Sequence, residues 1–213
     1  RETFIGVLSH ELRTPVTTIY GGAKLLARAD STLDEQTRQA VFADIVAEAE
    51  RLQRLVEDVV ALNRFGEAGG DLGQEPVLLQ RVVPSVVTSE EARWPGVGFT
   101  TRVPPGLPTV VADPTYVEQV VRNLLSNAAK YGGPDSTVEV ILEQGGDEVA
   151  VRILDDGPGI DADEVDRLFE LFYRSPATSG STSGAGIGLF VCARLVAAMG
   201  GRIWARRRPV GGS

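Results

Sequence analysis

The chain has 213 residues, 43% of them hydrophobic, a formal net charge of −8, one histidine and one cysteine, with mean hydropathy near zero and a pI of about 4.8. This is an ordinary globular composition for one or two domains, and it lacks the clustered lysine and arginine with which a nucleic-acid surface displaces counterions; the run Arg206-Arg207-Arg208 is too short to supply them. The lone Cys192 excludes an internal disulfide and fits a small buried thiol, the lone His10 removes every two-histidine metal site, and no apolar run reaches the roughly 18 residues that cross a bilayer.

Phe4, Leu8 and Leu12, with Ile5 and Val16 beside them, recur at helical spacing and predict a helix over 1–29. His10 falls off the centre of that stripe. Thr14, four residues on, shares its face, whereas Glu11 is rotated by roughly 100° and must swing its carboxylate back to reach the imidazole. Pro15 has no N–H, so the helix should be interrupted and bent there, exposing the ring. A lone histidine is ordinarily a surface residue without a task, so His10 needs a matching site further along. A second helix is expected over 34–65, antiparallel to the first after a short connection. On it Phe42, Ile45, Ala49, Leu52, Val56 and Val59 alternate by three and four as a heptad-like seam, widened by Val46 and Leu55. Two helices with stripes this wide cannot cover each other. A four-helix bundle made by two chains is the economical solution, and a monomeric hairpin packed on the rest of the chain is the alternative.

These residues give a hairpin domain over 1–65, followed by a glycine- and acid-rich linker over 66–76 and a second domain over 77–213. The second domain opens with a helix at VLLQRVVPSVVTSEEARW, a strand at GVGFTTRV, a turn, and a short strand at TVVA. Asp113 and Pro114 then start a helix, by a capping side chain and a proline suited to the first turn. Val117, Val120, Val121, Leu124 and Ala128 are its expected core face. Asn123, Asn127, Lys130 and Tyr131 form a second stripe. Such a stripe is usually just solvated, but asparagine is a poor helix former, its amide oxygen suits Mg²⁺, and a lysine nearby offers a point charge to phosphate.

Strands at STVEVILEQ and VAVRILDD form a hairpin that ends at carboxylates. Asp155, Gly157 and Gly159 follow in a D-x-G-x-G pattern, either a glycine-rich turn or a place where backbone comes close to a planar ligand. Asp161 and Glu164 read as a capping box for a short helix. The small polar stretch from Pro176 to Gly184 suits a lid, and the glycines Gly184, Gly186 and Gly188 open a helix over Ile187 to Met199 whose free N–H groups are a ready anion site. A last strand is expected at GGRIWA, with Trp94 and Trp204 as packing residues.

Taken together, SHELRTP around His10 resembles the H-box of bacterial sensor histidine kinases of the dimeric helical-hairpin type, NLLSNAAKY their N-box, DDGPGI their G1 box, FELFYRS their F-box and GAGIGL their G2 box. The motifs stand in family order over about residues 4–204. The resemblance implies a dimeric four-helix bundle from the α hairpin, followed by an α+β two-layer sandwich of the GHKL, or Bergerat, ATPase/kinase type. It implies ATP-dependent phosphorylation of His10 and transfer to an aspartate on the receiver domain of a response regulator. By the same resemblance Asp155 accepts the adenine amino group beside Gly157 and Gly159, Asn127 with Asn123 holds Mg²⁺, Lys130 and Arg174 offset phosphate charge next to Tyr131, and Gly184, Gly186 and Gly188 serve the phosphates of ATP. Glu11 would take the Nδ1 proton of His10, and Thr14 would orient water in a phosphatase step.

The chain begins inside a helix, at Arg1, and family members add one more edge strand beyond its end. We therefore expect a cytoplasmic portion of a longer protein, tied to the cell membrane only through missing N-terminal segments and making no nucleic-acid contact. Two rival readings remain: an ATPase of the gyrase, chaperone and mismatch-repair kind, which places a glutamate where Asn123 stands, and a nucleotide-binding scaffold without transfer.

Overall fold

The computed structural model describes residues 2–28, 33–66, 73–176, 186–208 and 212, with 2–4 and 64–66 described by backbone alone. The chain divides into two compact units, Arg1–Gly66 and Glu67–Ser213. No helix among the described residues is long and apolar enough to cross a membrane.

The first unit is a pair of helices, α1 (Glu2–Arg28) and α2 (Glu35–Gly66), packed on each other. Contrary to the sequence expectation, α1 is not interrupted at Pro15; helix continues to Arg28 with the proline ring buried. One lost N–H is tolerated because the neighbouring turns persist, and Thr14, Thr17 and Thr18 add hydroxyl bonds to the carbonyls four residues back. Asp34 caps α2 by accepting from the N–H and the hydroxyl of Thr37, each at 2.8 Å. Gly22 permits close approach of the helices, since a Cβ there would stand 2.9 Å from Ile45 Cγ1. The seam read from the sequence splits in two: Ile45, Leu52 and Val59 are half-buried and Leu55 is buried, whereas Phe42, Val46, Ala49 and Val56 remain exposed, as does Val60 beside them.

In the second unit, β1 (Glu75–Val77) pairs antiparallel with β3 (Val110–Ala112), and a second sheet runs in the order β2 (Gly98–Arg102), β4 (Thr137–Gly145), β5 (Glu148–Leu154). β2 is parallel to β4, and β4 is antiparallel to β5. Helices α3 (Leu79–Arg93), α4 (Pro114–Gly132) and α5 (Gly188–Ala198) supply the second layer; α4 touches α3, α5, β4 and β5. The alternating Val138, Val140 and Leu142 of β4 are almost fully buried against the cluster that holds Val117, Val121, Leu125 and Ala128 of α4. Gly146, at φ 64°, turns the β4–β5 hairpin in two residues. Asp113 caps α4, accepting from Thr115 N–H at 3.0 Å and Tyr116 N–H at 3.4 Å, with Pro114 at the first helical position.

Four expectations are corrected. Leu125, not Leu124, is the buried leucine of α4. Residues 162–169 form successive turns in place of a short helix, because Glu164 spends its carboxylate on Tyr173 and Ser175. GGRIWA is not a strand: 201–208 carries no ladder and is tied by the side chains of Arg202, to Glu148, and Arg208, to Asp155 and Asp156. Trp204 is 52% exposed and is not a packing residue.

Candidate functional site

Each unit carries its own constellation. On α1 of the helical unit the His10 side chain is 76% exposed and that of Glu11 only 17%. Glu11 does swing back as its position on the helix requires, bringing Oε1 to 3.9 Å from His10 Nδ1. That is too long for a hydrogen bond but within reach of a small rotation. Its other oxygen, Oε2, accepts from Arg51 Nη2 of α2 at 3.0 Å. Arg51 also lies 3.5 Å from Glu48 Oε2. Thr14 shares the face of His10, and its hydroxyl donates to the His10 carbonyl at 3.5 Å.

In the second unit a cavity of about 470 Å³ opens where α4, the end of β5 and the loops after it meet, a size in the range of small-molecule sites. Asn127, Tyr131, Asp155, Gly159 and Arg174 line it together. Asn123, Lys130, Gly157, Gly186 and Gly188 are not among its lining residues; Asn123 is nonetheless half-buried one turn before Asn127. Gly184 lies outside the described residues.

Asp155 follows β5 and is 93% buried, its exposure being 7%. Gly157 N–H donates to its Oδ1 at 2.8 Å, which fixes the orientation of the carboxylate. Gly157 must be glycine for room: a Cβ would sit 2.8 Å from that Oδ1 and 3.0 Å from the Tyr131 carbonyl. Gly159 and Gly186 have φ of 79° and 66°, the left-handed region that glycine enters without strain. Gly186 also meets Phe172, whose N–H donates to the Gly186 carbonyl at 2.9 Å and whose own φ is 66°.

Sequence reading missed several contributors. Tyr173 OH donates to Glu164 Oε1 at 2.7 Å and Ser175 Oγ to Oε2 at 3.1 Å, with the Arg167 guanidinium 4.4 Å from the Tyr173 ring centre. The Tyr173 hydrogen bond holds Glu164 below the usual carboxylate range and in return raises Tyr173 above the ordinary phenol value. Arg208 Nη1 donates to the Asp155 carbonyl at 2.9 Å and to Asp156 Oδ1 at 3.2 Å, bracing the segment that carries the buried aspartate. Nothing in local periodicity announces such pairs.

The cavity brings together a buried carboxylate, an amide side chain and an arginine, a set able to take a ligand that carries both hydrogen-bond donors and anionic groups. Asn127 in the cavity wall and Asn123 one turn before it carry amide oxygens of the hard, neutral kind that suits a magnesium ion. Among the described residues no cluster of three or more His, Cys, Asp or Glu side chains offers a metal site.

Both units have counterparts among known proteins. Residues 1–68 match the family model of the His Kinase A (phospho-acceptor) domain, and residues 112–213 that of the histidine kinase-, DNA gyrase B- and HSP90-like ATPase. The adaptive-response sensory kinase SasA of Prochlorococcus marinus is 33% identical over the whole chain and 55% of its own length. The chain spans about half, or less, of the curated relatives it matches. Among solved structures, full-length ShkA in complex with AMPPNP aligns over 99% of this chain and 44% of that one, with a TM-score of 0.69 and 29% identity. ThkA, in complex with the response regulator protein TrrA, aligns over 99% and 59% with a TM-score of 0.69; at 23% identity it bears on the fold alone.

Proposed function

The chain belongs to the sensor histidine kinases, and from that premise we propose that it phosphorylates His10 with ATP and hands the phosphoryl group to an aspartate on the receiver domain of a response regulator. The observation that carries the reading is the exposed imidazole of His10 beside an oriented carboxylate, in a chain that also holds a cavity with the buried Asp155. His10 is the nucleophile. Glu11 accepts the Nδ1 proton and leaves the Nε2 lone pair to attack the γ-phosphorus in line; the bond to the bridging oxygen breaks and its electrons leave with ADP.

Asp155 selects adenine by accepting its amino group, and Gly157 and Gly159 let the ring lie against backbone. Arg174 and Lys130 offset phosphate charge, Tyr131 walls the pocket, and the N–H groups at the start of α5, which begins at Gly188 and follows Gly184 and Gly186 in sequence, receive phosphate oxygens. Asn127 and Asn123 would hold Mg²⁺, which supplies charge neutralisation on the phosphates. Thr14 is placed on the His10 face to orient water for hydrolysis of the phosphorylated regulator; Thr14→Ala should abolish that hydrolysis and spare phosphorylation of His10.

The exposed stripe Phe42, Val46, Ala49, Val56 and Val60 supports a homodimer in which two hairpins close a four-helix bundle. A receiver domain is the partner class proposed, the kind of protein with which ThkA was solved. The domain division at a linker over 66–76 belongs to the same reading, as does attachment of the longer protein to a membrane. The test is incubation with γ-labelled ATP and Mg²⁺, comparing the wild type with His10→Gln: label on wild type alone supports the proposal. Free phosphate released without labelled protein would favour an ATPase of the gyrase kind, and nucleotide binding with neither product would favour a scaffold.

A further inference from the structure

We propose that Arg51 is a positioning residue for phosphoryl transfer: from α2 it grips one oxygen of Glu11 so that the other is presented to the Nδ1 of His10. This rests on the reading of His10 as the phosphoacceptor. The two oxygens of Glu11 are divided, Oε2 on Arg51 Nη2 at 3.0 Å and Oε1 toward His10 Nδ1 at 3.9 Å. The pair is shielded, with side chains 17% and 20% exposed, while the imidazole beside it is 76% exposed. A long side chain rotated by about 100° from its partner on the same helix has several torsions by which to miss it. A cross-helix guanidinium removes that freedom, because its planar fork fixes the direction as well as the distance of the carboxylate.

Glu48 completes the device. Its Oε2 lies 3.5 Å from Arg51 Nη1, is buried, and accepts no hydrogen bond. It therefore holds the second arm of the guanidinium electrostatically and turns the first toward Glu11. The orientation of the carboxylate next to the reacting ring is thus set by the packing of α2 on α1, which makes the register of the two helices a determinant of the rate at His10.

Because His10 is the only histidine, its two ring nitrogens can be followed without overlap by ¹⁵N NMR in the unphosphorylated protein. The proposal predicts that the wild type favours the Nδ1–H tautomer, that Arg51→Gln moves the ring toward the Nε2–H tautomer preferred by an unconstrained histidine side chain, and that Arg51→Lys lies between. Arg51→Gln should lower kcat for labelling of His10 by about tenfold or more, with KM for ATP unchanged. Arg38→Gln, which breaks the Arg38–Glu35 pair elsewhere on α2, should alter neither. A folded Arg51→Gln protein with the wild-type tautomer ratio, or one whose loss lies in KM, overturns the proposal. If Arg51→Gln does not fold, Arg51→Lys decides: an unmoved ratio overturns it and an intermediate one supports it. An unlabelled His10 in the wild type refutes the phosphoacceptor reading, whereas the tautomer shift tests Arg51 by itself.

Discussion

At the scale of single residues, Asp155 carries the largest predicted effect on nucleotide binding. Its carboxylate is desolvated and held in place by Gly157, so under the proposed function a ligand amino group would meet an oriented acceptor. A hydrogen bond to a charged group contributes about 1.5–3 kcal/mol, so Asp155→Ala should weaken ATP binding by roughly 10- to 100-fold in calorimetry without altering the thermal transition of the helical unit. Gly157→Ala should weaken it too, since the new methyl would stand 2.8 Å from Asp155 Oδ1 and displace the carboxylate. The Glu164–Tyr173 bond gives a pH prediction. The carboxyl is lowered when folded, so its contribution is present above the ordinary glutamate range and is lost as pH falls through the depressed value; the phenol is raised, so its share is lost only as pH rises above the ordinary tyrosine value. Ultraviolet titration should find one tyrosine ionising above the others, and Glu164→Gln should abolish that delay.

At the scale of elements, α2 and β4 are the instructive cases. The exposed stripe of α2 leaves several large apolar side chains in water, each of which would contribute about 1.5–3 kcal/mol if fully covered. Val46→Asp should therefore shift the protein from dimer to monomer in light scattering while helix content stays the same. On β4, Leu142 is 1% exposed, and Leu142→Ala should destabilise the second unit by about 2–5 kcal/mol in denaturant melts. These two elements also mark what periodicity could reveal. Alternation along β4 and the Asp113-Pro114 start of α4 were legible because each is dictated within a few residues. The partition of the α2 seam was not, since helical spacing identifies apolar faces without saying which one the partner helix takes. Leu124 and Leu125 were exchanged for the same reason: adjacent leucines differ by one helical step, and only packing against β4 decides between them. The short helix at Asp161 and the strand at GGRIWA failed because side chains distant in sequence, Tyr173 with Ser175 in one case and Glu148 with Asp155 and Asp156 in the other, took the groups on which those readings relied.

For the molecule as a whole, the two compact units carry separate features, the exposed His10 beside Glu11 in one and the cavity with Asp155 in the other, and the proposed function divides the chemistry between them. That Asn127, Tyr131, Asp155, Gly159 and Arg174 could be singled out from sequence reflects short spacings dictated within a few residues, and the structure places these five around one cavity. Arg51, Arg208 and the Glu164 cluster could not, because their partners are supplied by other elements. The proposed phosphoryl transfer requires the cavity of one unit to deliver a γ-phosphate to His10 of the same chain or of a second copy. The most direct measurement is site mapping of the label after incubation with γ-³²P-ATP and Mg²⁺. An acid-labile, base-stable phosphate on His10, absent from His10→Gln, is the expected result; a label on any other residue, or on none, would contradict it.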